Sequence, residues 1–82
     1  MNENILLELC SKLKGIRKGK KYTQQEVADI IGINIWTVNR IENKKLEEVK
    51  LKTILRMLDL YEITLYEFIE DNKDLVNRAY NK

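Results

Sequence analysis

The stretch that decides the fold is TQQEVADIIGINIWTVNRIE, residues 23–42. Thr23 is followed three residues later by Glu26, the spacing of a capping box, in which each side chain accepts a hydrogen bond from a backbone N–H at a helix start. Gly32 can end this helix, because the residue after a helix often needs a positive φ, which glycine adopts without strain. Asn34 is a good cap for a second helix. The stretch therefore predicts two short helices joined by a glycine-containing turn.

Two short helices joined by such a turn form a helix-turn-helix motif. Val38 and Ile41 lie three residues apart and are predicted to face the core. Because successive helical positions advance by about 100°, Trp36, Thr37 and Arg40 then fall mainly on the outer face. In this motif the outer face of the second helix is the one that enters the DNA major groove.

Helical apolar spacing continues on both sides of the motif, and no strand-like alternation of useful length is present. We therefore expect an all-α protein: a domain over residues 1–70 and a tail over 71–82 that is a candidate for a short extra helix in a dimer contact. The loop before the fourth helix has neither proline nor a clear cap, so that helix could begin several residues early, near Leu46. The predicted helices of the domain span about 3–18, 23–31, 34–43, 48–61 and 64–70.

The composition argues against catalysis and metal binding. The 82 residues include no histidine and one cysteine, Cys10, which excludes zinc sites built from these residues, an internal disulfide and imidazole chemistry. The three glycines fit no phosphate-binding loop. We therefore expect no enzyme, no metal and no cofactor, with Cys10 as a buried structural thiol. No apolar run approaches the roughly 20 residues of a membrane span, and the N-terminus lacks a secretory pattern, so we expect a cytoplasmic protein.

The net charge of +2 is unevenly distributed. Residues 1–45 carry nine basic and five acidic side chains, whereas residues 46–82 carry six basic and eight acidic ones. The densest block is KLKGIRKGKK, residues 12–21, with six cations. By itself such a block is a solvated basic turn, but next to a polar-faced helix it predicts an edge that contacts phosphates.

The chain resembles the phage-repressor/Cro-like, or XRE-type, helix-turn-helix regulators over about residues 13–69. Arg17 stands six residues before Thr23, and a TLYEFI helix follows downstream. The resemblance implies a compact five-helix lambda-repressor-like fold and a bacterial or phage protein that associates with the nucleoid through DNA. The other positions in register are Gln24, Ala28, Gly32, Val38, Ile41 and Glu42.

The resemblance also implies roles for individual residues. Arg17 and Glu42 resemble the family's internal ion pair. Gln24 resembles its phosphate-contacting glutamine, which in the family often also braces the recognition helix, although a polar first-turn residue is the simpler alternative. Trp36 could instead pack against the preceding helix or a protein partner. The candidates for reading bases are Asn34, Ile35, Trp36, Thr37, Asn39 and Arg40. The candidates for phosphate contacts are Arg17, Thr23, Gln24, Asn43, Lys44 and Lys45.

One departure from the family pattern concerns the exit from the second helix. The family commonly has glycine where this chain has Lys44, so either Asn43 or Lys44 must adopt a positive φ, and asparagine tolerates that conformation better.

The expected function is sequence-specific binding of double-stranded DNA by a homodimeric, repressor-like transcriptional regulator on a roughly palindromic site. A restriction–modification controller or an antitoxin of the same fold is an alternative. An alternative of another class is a protein-interaction module without DNA binding, in which Ile35 and Trp36 are anchors. Apolar residues of the fifth helix and the tail are predicted to contact the second copy of the chain. The alternative is that they only close the monomer core. These dimer candidates are Leu65, Phe68, Ile69, Leu75, Val76 and Tyr80.

Overall fold

The computed structural model describes residues 3–45 and 50–80, including the side chains of 7–45 and 50–78. Within these ranges the chain is all-helical, which confirms the predicted fold class. The helices are α1 (Glu3–Ser11), α2 (Leu13–Gly19), α3 (Gln24–Ile31), α4 (Ile35–Glu42), α5 (Leu51–Leu60), α6 (Leu65–Asp71) and α7 (Lys73–Tyr80).

The structure divides the predicted first helix, residues 3–18, into α1 and α2. The Ser11 hydroxyl donates a 2.6 Å hydrogen bond to the carbonyl of Glu8, the acceptor that the Lys12 N–H would use in a continuous helix. Lys12 N–H instead donates to the carbonyl of Leu9 at 3.1 Å. Serine side chains often compete in this way for the backbone acceptors of a helix. The predicted single helix is therefore wrong at Lys12.

One apolar core holds the helices together. The inner face of α4 packs against α1 and α3, α3 packs against α5, and α7 lies along α1. Within the tail, Lys73–Tyr80 thus form a helix that packs on the same chain, and Leu75 is buried there. The core residues are Cys10, Leu13, Val27, Ala28, Ile31, Val38, Ile41, Ile54, Met57, Leu58, Tyr61 and Phe68.

Among the described residues, four helix ends use a residue with positive φ: Lys21 after α2, Gly32 after α3, Lys44 after α4 and Glu62 after α5. After each of them the next backbone N–H donates to a carbonyl five residues back, at 2.9–3.2 Å. This bond satisfies a carbonyl that the helix leaves unpaired. Only one of these four positions carries glycine. The sequence therefore predicts the positive φ at Gly32 and gives no comparable indication of one at Lys21 or Glu62.

Helix α5 begins at Leu51, because Lys50 has the extended conformation of an N-cap, with φ −83° and ψ 124°. The predicted start near residue 48, like the earlier start near Leu46, lies outside the described residues. No helix in the described part of the chain is long and apolar enough to cross a membrane.

Candidate functional site

The start of α3 is fixed by the capping box that the sequence predicts. Thr23 Oγ1 accepts a hydrogen bond from the Glu26 N–H at 3.0 Å, and Glu26 Oε1 accepts one from the Thr23 N–H at 2.9 Å. The Thr23 hydroxyl acts only as an acceptor in this cap, so its O–H can still donate a hydrogen bond to another group. Both side chains are exposed, and the positive end of the helix dipole therefore faces solvent beside a hydroxyl donor.

The turn between α3 and α4 is short and closed by backbone and side-chain hydrogen bonds. Gly32 has φ 71° and ψ 41°, and the Ile33 N–H donates to the Ala28 carbonyl at 3.0 Å. Asn34 then caps α4, with its Oδ1 accepting from the Trp36 N–H at 2.8 Å. Because this cap uses Oδ1, Asn34 keeps its amide N–H groups for another partner.

Helix α4 separates a buried face from an exposed one. Val38, Ile41 and Glu42 are buried. Trp36 is 66% exposed, so most of its surface is not covered by this chain. Ile35 is half-buried and packs against the core, which makes it a support for the helix rather than a fully outward side chain. On the outer side, Asn34 and Arg40 are also exposed, and Thr37 and Asn39 are half-exposed.

Behind α4 lies a buried ion pair. Arg17 Nε and Nη2 donate to the two carboxylate oxygens of Glu42 at 2.8 and 3.1 Å, a bidentate arrangement. Arg17 Nη1 donates to the Tyr22 carbonyl at 2.7 Å. The hydrogen bond with Glu42 raises the pKa of Arg17 above its ordinary value. The pair ties α2 to the last turn of α4, and Arg17, at 7% exposure, points inward.

Gln24 extends this network to the surface. Its Nε2 donates to Glu42 Oε1 at 3.0 Å, while the residue itself is half-exposed. The carboxylate thus fixes the side chain at the first turn of α3 relative to the end of α4. Gln24 Oε1 and the backbone N–H groups of that turn are left as polar groups at the edge of the site.

At the end of α4, Lys44 and not Asn43 has the positive φ. Asn43 continues the helical bonding, with its N–H donating to Asn39 O at 3.0 Å, and has φ −106°. Lys44 therefore turns, with φ 60°, and the Lys45 N–H closes the end on the Arg40 carbonyl at 2.9 Å. Asparagine is the better residue for this conformation, but Asn43 is the C-cap of α4 and keeps a negative φ, with its N–H still bonded to Asn39. Asn43, Lys44 and Lys45 are all exposed.

Two tyrosines, Tyr22 and Tyr61, lie next to the network, and the sequence pattern predicts a role for neither. Tyr61 is fully buried, and its ring centroid lies 6.2 Å from that of Tyr22. Within the described residues the Tyr61 hydroxyl has no hydrogen-bond partner. Burial, with a smaller effect from Glu42, raises the pKa of Tyr61 to about 12. The sequence indicates only that Tyr22 precedes the capping box. Its contact with Tyr61 joins two residues that are 39 positions apart in the chain, so it appears only in the folded structure.

The predicted dimer candidates differ in how far they are buried. Phe68 and Leu75 are buried within the chain, so they close the core, as the alternative proposes, and do not offer a contact surface. Leu65 and Ile69 are 37% and 39% exposed. Val76 is half-buried, and the side chain of Tyr80 lies outside the described residues.

Comparison with known proteins gives one match. A helix-turn-helix family model, HTH_3, matches residues 13–68, which is more than half of the chain and runs from α2 into α6. No curated protein and no solved structure matches the chain significantly.

Proposed function

This chain belongs to the HTH_3 helix-turn-helix family of DNA-binding regulators, and we propose that it is a sequence-specific, repressor-like transcriptional regulator. In this proposal two copies bind a roughly palindromic site on double-stranded DNA, each placing α4 in the major groove, with half-sites about 10 bp apart. The protein works in the cytoplasm of a bacterium, on chromosomal or phage DNA. The main support for the proposal is one observation. The outer side chains of α4 face solvent, while the buried ion pair between Arg17 and Glu42 anchors the opposite side of the helix.

The exposed face of α4 supplies groups suited to base edges. Arg40 can donate two hydrogen bonds to O6 and N7 of a guanine, the commonest specific contact in the major groove. Thr37 offers a hydroxyl and a methyl group, and Asn39 can pair with an adenine. Trp36 presents a large apolar surface to a thymine methyl or the sugar edge, with its indole N–H able to donate to a phosphate.

The edges of the site supply phosphate contacts. At the start of α3, Thr23 and Gln24 stand beside free backbone N–H groups, an arrangement that favours an anion. At the exit of α4, the chain turns at Lys44, and Asn43, Lys44 and Lys45 are exposed to solvent. Arg17 is not part of this set, because its guanidinium is bonded inside the fold.

Selection of bound sites from random duplex DNA, followed by fluorescence anisotropy on the selected site, tests the proposal. Binding should weaken steeply as salt rises, because neutralised phosphates release counterions. Arg40→Ala should cost about 1–3 kcal/mol and relax the preference at one base pair. Lys45→Ala should weaken binding to all sequences and reduce the salt slope by about one unit.

Lys73→Ala is the matched control, because it removes a cation from α7, outside the helix-turn-helix motif, and should change neither property. If no sequence is enriched from the random pool, or if Arg40→Ala leaves base preference intact, the proposed recognition by α4 is wrong.

A further inference from the structure

A lysine-rich segment precedes the helix-turn-helix motif and carries charges that the fold itself does not use. Residues 12–21 hold six cations and no acidic side chain. Arg17 is turned into the fold, where it bonds to Glu42, and Lys14 is half-buried. The other cations are exposed, and none of them forms an ion pair within the described residues. These exposed cations are Lys12, Lys18, Lys20 and Lys21.

Lys20 and Lys21 are the cations of this segment that lie nearest along the chain to α3. Lys20 is the C-cap of α2, and a single residue separates Lys21 from Thr23, the N-cap of α3. Consecutive Cα atoms are about 3.8 Å apart, so the Cα atoms of Lys21 and Thr23 are at most about 7.6 Å apart. A lysine ammonium on its flexible four-carbon stem can act over such a distance. Both charges therefore stand beside the start of α3.

The connection that carries the two lysines is fixed by the network behind α4. The Tyr22 N–H donates to the Arg17 carbonyl at 3.2 Å, and Arg17 Nη1 donates to the Tyr22 carbonyl at 2.7 Å. The Lys21 N–H donates to the Lys18 carbonyl at 3.0 Å. The connection is thus tied to the same Arg17 that binds Glu42 at the end of α4.

We propose that Lys20 and Lys21 form a further phosphate-contacting edge, in which their ammonium groups bind the DNA backbone next to the phosphate contacts of Thr23 and Gln24. This inference rests on the proposed function and adds the connection between α2 and α3 to its binding surface. A lysine ammonium is a flexible point charge, and contacts of this kind with phosphates carry no sequence information. The two lysines therefore strengthen binding to every DNA sequence and leave base preference to α4.

The backbone at Lys21 allows binding and stability to be measured separately. Its φ of 65° lies in the left-handed region, which glycine adopts without the strain of a side chain. Glu62, after α5 and outside the helix-turn-helix motif, has a similar φ of 60°. Glycine relieves the same kind of strain at both positions, but only at Lys21 does it also remove a proposed contact with DNA.

Fluorescence anisotropy on the selected duplex, over a series of salt concentrations, tests this edge. Each lost phosphate contact should reduce the slope of log K against log salt by about one unit. Lys21→Asn, which introduces a residue that tolerates a positive φ, should reduce the slope by about one unit. The double variant Lys20→Gln, Lys21→Asn should reduce it by about two units, with the same loss of affinity on a scrambled duplex.

Two further variants control for charge and position. Lys21→Arg should keep the wild-type slope, because arginine also carries a positive charge. Lys12→Gln removes an exposed lysine at the opposite end of α2, and it should leave the slope unchanged. An unchanged slope in the double variant would overturn the inference. So would an equal fall in Lys12→Gln, because the effect would then come from net charge rather than from this edge.

Thermal unfolding followed by circular dichroism completes the test with the two glycine variants. Lys21→Gly should raise the melting temperature and weaken DNA binding, whereas Glu62→Gly should raise the melting temperature without weakening DNA binding. A Lys21→Gly variant that is more stable and binds DNA as tightly as the wild type would contradict the proposed edge.

The wild-type protein and Arg40→Ala separate this inference from the proposed function. If the wild type binds a selected sequence and Arg40→Ala relaxes its base preference, while the Lys20 and Lys21 variants bind like the wild type, the proposed function stands and this edge is wrong. If the wild type shows no salt-dependent binding to any duplex, the proposed function is wrong and the inference fails with it.

Discussion

Removing one partner of the buried ion pair between Arg17 and Glu42 should destabilise the fold more than removing both. The Glu42 side chain has no exposed surface and that of Arg17 is 9% exposed, so water cannot solvate the charge that a single substitution leaves behind. In Glu42→Met the guanidinium keeps only the Tyr22 carbonyl as an acceptor, and in Arg17→Met the carboxylate keeps only the Gln24 amide.

The expected magnitude follows from this burial. Breaking a buried pair from one side costs about 3–5 kcal/mol, whereas an 82-residue chain has a total unfolding free energy of about 4–12 kcal/mol. Each single variant should therefore lose a large part of its stability. The double variant with methionine at both positions should lie within about 2 kcal/mol of the wild type, because packed apolar side chains replace a buried pair at little cost.

Urea unfolding followed by circular dichroism measures these differences as a double-mutant cycle. The exposed pair between Lys73 and Glu70, at 3.7 Å with side chains 64% and 54% exposed, is the control. Lys73→Met should change stability by less than about 0.5 kcal/mol. A cost of less than about 1 kcal/mol for Glu42→Met, or a double variant as unstable as the sum of the two single variants, would contradict a stabilising role of the buried pair.

Three further predictions concern single residues. Burial raises the pKa of Tyr61 from 10.0 to about 12. The free energy of unfolding should therefore be highest below pH 10 and fall as pH rises through 12. Urea unfolding at a series of pH values should show a smaller fall for Tyr61→Phe. Lys21→Gly should raise the melting temperature by relieving about 1 kcal/mol of strain at φ 65°, whereas Lys18→Gly, inside α2, should lower it. Cys10 is 2% exposed and burial raises its pKa to about 11; alkylation at neutral pH, followed by mass spectrometry, should therefore be much slower than in urea, because both access and the thiolate fraction are reduced in the folded chain.

Where the structure follows the sequence closely, the chemistry is local. The cap at Thr23, the positive φ at Gly32 and the cap at Asn34 each involve atoms only a few residues apart. The same holds for the capping box at Thr64, which starts α6. These local bonds fix where α3, α4 and α6 begin or where they end, and the helical period then determines which side of α4 is apolar.

The predictions that differ from the structure depend on competition or on distance. The Ser11 hydroxyl competes with the Lys12 N–H for the carbonyl of Glu8. The spacing of apolar residues gives no indication of such a competition. Lys44 rather than Asn43 takes the positive φ because the helix bonding continues for one more residue. The burial of Phe68 and Leu75 requires the helices to be assembled, since an apolar spacing is the same for a core residue and for a subunit contact.

The sequence by itself determined the helix-turn-helix motif and the outward direction of Trp36 and Arg40, because caps, glycine and a period of about 3.6 residues act within a single helix or turn. Tertiary structure alone decided that Gln24 is held by the carboxylate that also binds Arg17, and that the leucines of α5 remain exposed. These facts depend on side chains 18 and 25 positions apart and on which helix covers which face. A linear pattern does not contain such distances, because packing fixes them only when the whole core closes.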